Sequence, residues 1–249
     1  PSDQTGECWA ISAHQNGPNV IENGKHQGKT LDEVWEEDRA LFDNDSRTHF
    51  PLLTKILDAH DQLSVQVHPN DDYALKHEGE YGKTECWYIL DAEPGSEIIY
   101  GVEAQTKEEL EQLIDNKDFD HLFAHVPVQP GDFYYVPAGT VHAIGSGILI
   151  LETQQSSDTT YRIYDYDRKD KNGNTRELHL EQSKEIDGNT YTQFVSNTFF
   201  TVEKWDVSEH LTLTKPHPYC LVSVIEGDGQ LTVDDETFTV QKGTHFILT

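Results

Sequence analysis

At 249 residues the chain is long enough for one large β-domain or two smaller ones, and it can bury a core without disulfides or a structural metal. A formal charge of -27 repels polyanions and the 18 Lys and Arg gather into no stripe, so no nucleic acid is expected as a partner and the acidity reads as a solvated surface. Cys8, Cys86 and Cys220 are odd in number and never form a C-x-x-C pair, no apolar run approaches a membrane span, and no leader precedes Pro1, so we expect a cytoplasmic protein with no membrane partner.

In chain order, Thr30 to Phe42 (TLDEVWEEDRALF) is predicted to be a helix, because Leu31, Val34, Trp35 and Leu41 recur at helical spacing and Thr30 with Glu33 forms a capping-box pattern. From Lys55 the pattern changes to short runs rich in Val, Ile, Tyr and Phe between Gly, Pro, Asn and Asp. These are LSVQVHP, ECWYILD, SEIIYGV, GDFYYVPAG, ILILETQ and TYRIYDYD, each predicted to be a strand. An acidic helix is expected from Thr106 to Ile114, where Thr106 and Glu109 repeat the start signal and Leu110, Leu113 and Ile114 supply an apolar face. After a polar stretch from Arg168 to Asn189, FFTVEKWDV, CLVSVIEGDGQLTVDDETFTV and THFILT read as further strands, with GDG marking a hairpin.

Many short strands and few helices argue for a mainly β sandwich, barrel or jelly roll, not an alternating βαβ fold. We expect a larger domain over residues 1–185, with a small helical insertion, and a second, metal-free β-domain over residues 186–249. The second is expected to be incomplete at its end, since the sequence stops inside an apolar strand. The absence of methionine points the same way, to missing residues and compressed long intervals.

In LSVQVHP, alternation places Ser64, Gln66 and His68 on one strand face and Leu63, Val65 and Val67 on the other. Polar groups on an interior face must be satisfied, and a lumen that holds a metal does so with directed ligands; a solvent-exposed face would carry the same pattern. The segment GDFYYVPAGTVHAIG carries Gly131, Pro137, Gly139 and His142 as G-x5-P-x-G-x2-H. Gly131 suits a tight turn, Pro137 and Gly139 a bend at a strand end, and His142 then projects from the next strand.

With this pattern the chain resembles the cupin superfamily, whose second motif has that form and ends in a metal-ligating histidine. The resemblance implies a cupin fold, that is, double-stranded β-helix or jelly-roll barrels with a few short helices. The first cupin motif, H-x-H followed by Glu, is matched by Gln66, His68 and Glu85, with glutamine for the first histidine and a loop about as long as one extra hairpin before Glu85. Two imidazoles, a carboxylate and a carboxamide oxygen form a set that zinc accepts with positions left open; iron and manganese are alternatives. The remaining histidines, His14, His26 and His245 among them, match no motif and read as surface or packing residues. Cys86, next to Glu85, should face away from the metal as a small buried residue.

HPND, GKTECWYIL, VPAGTVHAIG, ILETQQSSDTTYRIYDYDR and RELH together are similar to the short bacterial form of type I mannose-6-phosphate isomerase, over Gly6 to His179. That resemblance implies metal ligands at Gln66, His68, Glu85 and His142 and a catalytic arginine at Arg162. On a strand Thr160, Arg162 and Tyr164 share a face, and a guanidinium beside the metal could stabilise an enediolate; a structural ion pair is the competing account. Lys83, two residues before Glu85, points to the same face and brings an ammonium near metal-bound oxygens or the phosphate. Glu152, within an apolar strand, resembles an active-site position, against the alternative of a carboxylate that only pairs with Arg162. Ser64 resembles a substrate-contacting serine and Glu7 an acidic pocket residue.

The implied reaction interconverts mannose 6-phosphate and fructose 6-phosphate through an enediolate, with a phosphorylated hexose as the partner. The proton carrier is open among Glu152, Lys83, a histidine and a metal-bound hydroxide, and neither the phosphate-binding residues nor the oligomeric state is assigned. An iron-dependent dioxygenase of the same fold and a non-catalytic sugar-binding module are the rival readings.

Overall fold

A computed structural model describes residues 6–166, 168, 169, 199–205, 207, 218–233 and 236–249. The expected domain boundary at 185 and the RELH segment lie outside the described residues. The chain falls into two compact units, one drawn from Pro1–Cys8 and Thr54–Val195, the other from Trp9–Leu53 and Ser196–Thr249.

Two five-stranded sheets build the first unit. One has the order β1 (Glu7–Ile11), β2 (Leu52–Ala59), β9 (Ile148–Gln155), β4 (Glu85–Ala92), β7 (Phe133–Val136); β1 and β2 each carry the chain across the unit boundary. The other has the order β10 (Tyr161–Tyr164), β3 (Val65–Val67), β8 (His142–Ile144), β5 (Glu97–Val102), β6 (Phe123–Pro127). The sheets pack face to face, because Leu57, Trp87, Ile89, Val136, Ile148 and Ile150 of the first form one buried cluster with Ile98 and Ile144 of the second. This apolar cluster fills one part of the interior.

The second sheet is also buried on its outer side. Val65, Val67, Ile99, Ala143, Tyr161 and Ile163 pack there with Ile114 of helix α3 (Lys107–Asp115) and with Leu122 and Phe123. Helix α3 begins where its sequence signal places it, the Thr106 side chain accepting from the Glu109 N–H at 3.1 Å. Burial on both faces leaves β3 and β8 with no exposed residue.

The first expected helix is shorter than its apolar pattern. Helix α1 covers Leu31–Glu37, with Glu33 reaching back to the Thr30 N–H at 2.8 Å; Asp38 then leaves the helical region, and Arg39–Phe42 continue as a tighter 3-10 turn. The tighter turn still buries Phe42 against Trp35 and Phe50, with ring centroids 5.0 Å and 5.3 Å from Trp35. Tyr219, Leu221 and Ile247 join this aromatic cluster, so the second unit has a core of its own.

Four expectations are corrected. The hairpin-length loop between His68 and Glu85 contains a helix, α2 (Asp71–His77). FFTVEKWDV does not form a strand in its described residues, where Thr201 makes a lone bridge. GDG does not join two paired strands: β11 (Cys220–Ser223) pairs with β14 (His245–Leu248), and β12 (Asp228–Val233) pairs with β13 (Glu236–Gln241). The face shared by Thr160, Arg162 and Tyr164 is interrupted, because a bulge pairs Arg162 with Gln66 but Tyr164 with Val65. Tyr164 therefore turns outward and stacks on Phe119 at 4.2 Å.

Among the described residues no helix is long and apolar enough to cross a membrane.

Candidate metal centre

Register across the second sheet sets one half of the site. Arg162 on β10 lies opposite Gln66 on β3, Gln66 opposite His142 on β8, and His142 opposite Tyr100 on β5. Directly opposed residues project to the same side of a sheet, so these side chains form a row facing the interior. In the first sheet, Glu85 on β4 lies opposite Gln154 on β9, and Trp87 opposite Glu152. The same rule makes these four a second interior group.

The groups meet around Glu85. His68, Glu85 and His142 offer ligand atoms that all lie within 4.8 Å of one another, and each residue is at most 1% exposed. His142 Nε2 is 3.3 Å from Glu85 Oε1, and His68 Nε2 is 3.5 Å from Glu85 Oε2. Gln66 lies beside the set, its carboxamide nitrogen 3.4 Å from His142 Nε2; a half-turn of the carboxamide would present the oxygen instead.

Two backbone carbonyls fix the imidazoles. His68 Nδ1 is 3.0 Å from the Thr159 carbonyl and His142 Nδ1 is 2.8 Å from that of Thr140. A carbonyl only accepts, so each Nδ1 carries the proton and each Nε2 keeps its lone pair for the interior. Burial pushes the His142 pKa down to about 4. Burial, with the Lys83 charge next, also holds His68 well below the ordinary histidine range. Both rings are therefore neutral near neutral pH, as metal ligation requires.

Lys83 is the cation that these atoms now share, its Nζ lying 3.0 Å from both His68 Nε2 and Glu85 Oε2. Burial opposes its charge, but the Glu85 and Glu152 carboxylates outweigh burial and raise its pKa. Glu85 Oε2 nevertheless accepts no well-directed hydrogen bond. A buried carboxylate whose Oε2 faces the neutral His68 and whose Oε1 faces the neutral His142 fits a divalent cation.

Glu152 is 3% exposed, its Oε2 accepting from the Trp87 indole N–H at 3.1 Å and its Oε1 3.9 Å from Lys55 Nζ. Burial raises its pKa, the Glu85 charge raises it further, and Lys83 and Lys55 oppose both. Arg162 is half-buried in the row beside Gln66. Glu7 is nearly half exposed and joins the cluster through Lys55, 3.1 Å away. Ser64 is buried, but Leu63 before it packs on the interior core while Val65 after it faces outward, so strict alternation does not extend back to Ser64. Cys86 is buried beside Tyr135 and Thr153, its thiol pKa pushed up by burial.

Sequence reasoning passed over Lys55 and Trp87. Both carried a signal: Lys55 shares its strand positions with Leu53 and Leu57, and the alternation that selected Lys83 before Glu85 equally selects Trp87 after it. Gln154 was also missed, although it is fully buried and its amide nitrogen donates to the Gln155 and Ser157 carbonyls at 2.8 Å and 2.7 Å.

Known proteins share this architecture and sequence. The family model "Phosphomannose isomerase type I, catalytic domain" matches residues 1–96, and "Mannose-6-phosphate isomerase, cupin domain" matches residues 190–249. The mannose-6-phosphate isomerase of Streptococcus mutans serotype c is 55% identical over 264 aligned residues, covering 100% of this chain and 84% of that protein. ManA of Bacillus subtilis, a mannose-6-phosphate isomerase, is 52% identical over 266 aligned residues with the same coverages. A crystal structure of the Bacillus subtilis mannose 6-phosphate isomerase superposes with a TM-score of 0.90 at 46% identity, covering 100% of this chain and 85% of that one. The chain is thus mainly β with a cupin domain, the cupin family model lying over residues 190–249, and its two facing sheets superpose on those of a mannose 6-phosphate isomerase.

Proposed function

The chain belongs to the type I mannose-6-phosphate isomerase family, and on that premise we propose that the buried cluster inside its first unit is the active centre, where mannose 6-phosphate and fructose 6-phosphate are interconverted. The observation that carries this reading is the convergence of His68, Glu85 and His142 within 4.8 Å, with both imidazoles held neutral.

With Gln66, these residues hold one divalent cation per chain, assigned to zinc from the two-imidazole, carboxylate and carboxamide donor set, with iron or manganese as substitutes. When bound, such a metal supplies Lewis acidity towards the sugar's carbonyl and hydroxyl oxygens. The remaining roles fall to the chain's own groups. Aldose to ketose conversion moves a proton between C1 and C2 through an enediolate, so it needs a base near carbon and positive charge near oxygen. Arg162 carries a permanent charge on the face that bears Gln66 and His142, and it stabilises the developing oxyanion. Lys83, kept protonated by Glu85 and Glu152, donates to substrate oxygen and is not the base. Glu152, a buried carboxylate whose pKa is raised, has the shift expected of a group that takes and returns a proton, and we assign it that role. Glu7, ion-paired with Lys55 at the exposed end of the cluster, is assigned a substrate contact, and Ser64 is assigned one on the family resemblance alone. The reduced cysteines, none in a disulfide among the described residues, accord with a cytoplasmic location.

The test is direct. Purified protein loaded with zinc is given either mannose 6-phosphate or fructose 6-phosphate, and formation of the other sugar is followed. Conversion in both directions is expected, and protein that leaves both sugars unchanged overturns the proposal.

A further inference from the structure

Trp87 is fully buried on β4, two residues beyond Glu85 and directly opposite Glu152 on β9. An indole has a single polar hydrogen. Here that hydrogen faces two acceptors, Glu85 Oε1 at 3.0 Å and Glu152 Oε2 at 3.1 Å. The ring meets His142 edge-on with centroids 5.4 Å apart, and it is also a member of the interior apolar cluster.

Seven residues form one connected series running inward from the half-exposed Glu7: Glu7, Lys55, Glu152, Trp87, Glu85, Lys83, His68. Lys55 stands between two acids, and Lys83 stands between Glu85 and a neutral imidazole. At Trp87 alone in this series, two carboxylates meet across a neutral donor. Two carboxylates in a dry interior repel, and an N–H shared between them attracts both. It also selects oxygens. With Glu85 Oε1 and Glu152 Oε2 engaged by the indole, Glu85 Oε2 is left to face Lys83 Nζ at 3.0 Å and Glu152 Oε1 to face Lys55 Nζ at 3.9 Å.

We propose that Trp87 is a positioning residue for the isomerase reaction, its indole N–H fixing the rotamers and separation of Glu85 and Glu152 so that the metal-holding carboxylate and the proton-moving carboxylate share one rigid frame. The inference rests on the function proposed above. Its physical basis is that the ring is anchored by apolar packing while its N–H does polar work, so the two carboxylates inherit the rigidity of the core. A core filler would need only the ring.

The test compares wild type with Trp87→Phe, which keeps an aromatic ring and deletes the donor. Zinc affinity is measured by calorimetry on metal-free protein, kcat and KM are measured at saturating zinc, and thermal unfolding is recorded. The expected result is one zinc bound about ten-fold or more weakly, with kcat down by about ten-fold or more and KM changed by less than about two-fold. A lower melting temperature with wild-type kcat and zinc affinity means a core filler, and overturns the inference. Should Trp87→Phe fail to fold, benzothienylalanine at position 87 alone preserves the ring's shape with sulfur in place of N–H. The same losses then support the inference and wild-type values overturn it. Wild type that isomerises neither sugar defeats the proposed function instead; zinc affinity then decides the role of Trp87, and an unchanged affinity overturns it.

Discussion

Arg162 owes its position to one irregularity of β10. The bulge lets Arg162 pair with Gln66 while Tyr164, two residues on, pairs with Val65, so the guanidinium is directed to the ligand face and the phenol to the outer core. Because Arg162 is a neighbour of the ligand set and not a member of it, Arg162→Ala should keep its zinc and lose about a hundred- to a thousand-fold in kcat, the range for deleting one oxyanion-stabilising donor. Elemental analysis beside steady-state kinetics checks this, and parallel loss of zinc and activity would make Arg162 structural. Glu85→Gln should behave in the opposite way. It keeps the shape and the Trp87 contact but removes the charge, so we expect zinc content to collapse while the fold, followed by circular dichroism, persists. The meeting of His68, Glu85 and His142 was legible because the motifs mark them, whereas the signals carried by Lys55 and Trp87 acquire a meaning only when β2, β9 and β4 are placed side by side. The same limit applies to Tyr164, since a bulge leaves no mark in a two-residue pattern.

Between His68 and Glu85 the chain leaves the barrel, makes α2 and returns at Gly82. The helix starts with a cap, Asn70 accepting from the Tyr73 N–H at 2.9 Å, then Asp71 and Asp72 in the first turn and Lys76 and His77 in the last, a charge order that suits the helix dipole. Those signals were present, but Ala74 is the one buried residue of the helix, so no apolar periodicity betrayed it. Helices α1 and α3 were readable because each pairs a Thr-x-x-Glu start with an apolar face. The pairing of β11 with β14 across the β12–β13 ladder was not, because strand partnership is a long-range choice that GDG alone cannot decide. Gly82 closes the excursion where the backbone is crowded: a Cβ there would lie 2.5 Å from both Asn70 C and Asp71 N. The Gly82 N–H donates to Asp71 Oδ1 at 2.8 Å and the Lys83 N–H to the Pro69 carbonyl at 3.0 Å, so the closure positions Lys83 and, two residues on, Glu85. Gly82→Ala should therefore cost about 1–3 kcal/mol in stability and also weaken zinc binding, whereas Asn70→Ala should cost about 1 kcal/mol and leave zinc affinity unchanged. Chemical denaturation and zinc titration of the two variants separate the two effects.

Over the whole molecule, burying two neutral histidines makes the metal-free fold sensitive to acid. In the unfolded chain His142 has the ordinary pKa of about 6.5, and in the fold it is pushed down to about 4, with His68 displaced in the same direction. Between those values the unfolded state binds more protons than the folded one, so stability rises with pH across this window and is lost as pH falls through it. For His142 the full loss is roughly 3 kcal/mol, a large share of the 5–15 kcal/mol or so typical of a folded domain. The formal charge of -27 acts in the other direction, since protonating carboxylates relieves self-repulsion in the same range. His142→Gln separates the two effects, because it removes one titrating imidazole and leaves the surface charge in place. A divalent cation held at the cluster would join the same balance, for it would take only neutral imidazoles and would stabilise the fold by mass action, by about 4 kcal/mol at a thousand times its dissociation constant. A chelator should therefore lower the melting temperature at pH 7, and the chelated protein should melt lower still at pH 5. His142→Gln should show a shallower fall between the two pH values than wild type. Equal slopes in the chelated proteins would mean that His142 is not held neutral by the fold, and the basis for placing a metal beside it would be lost.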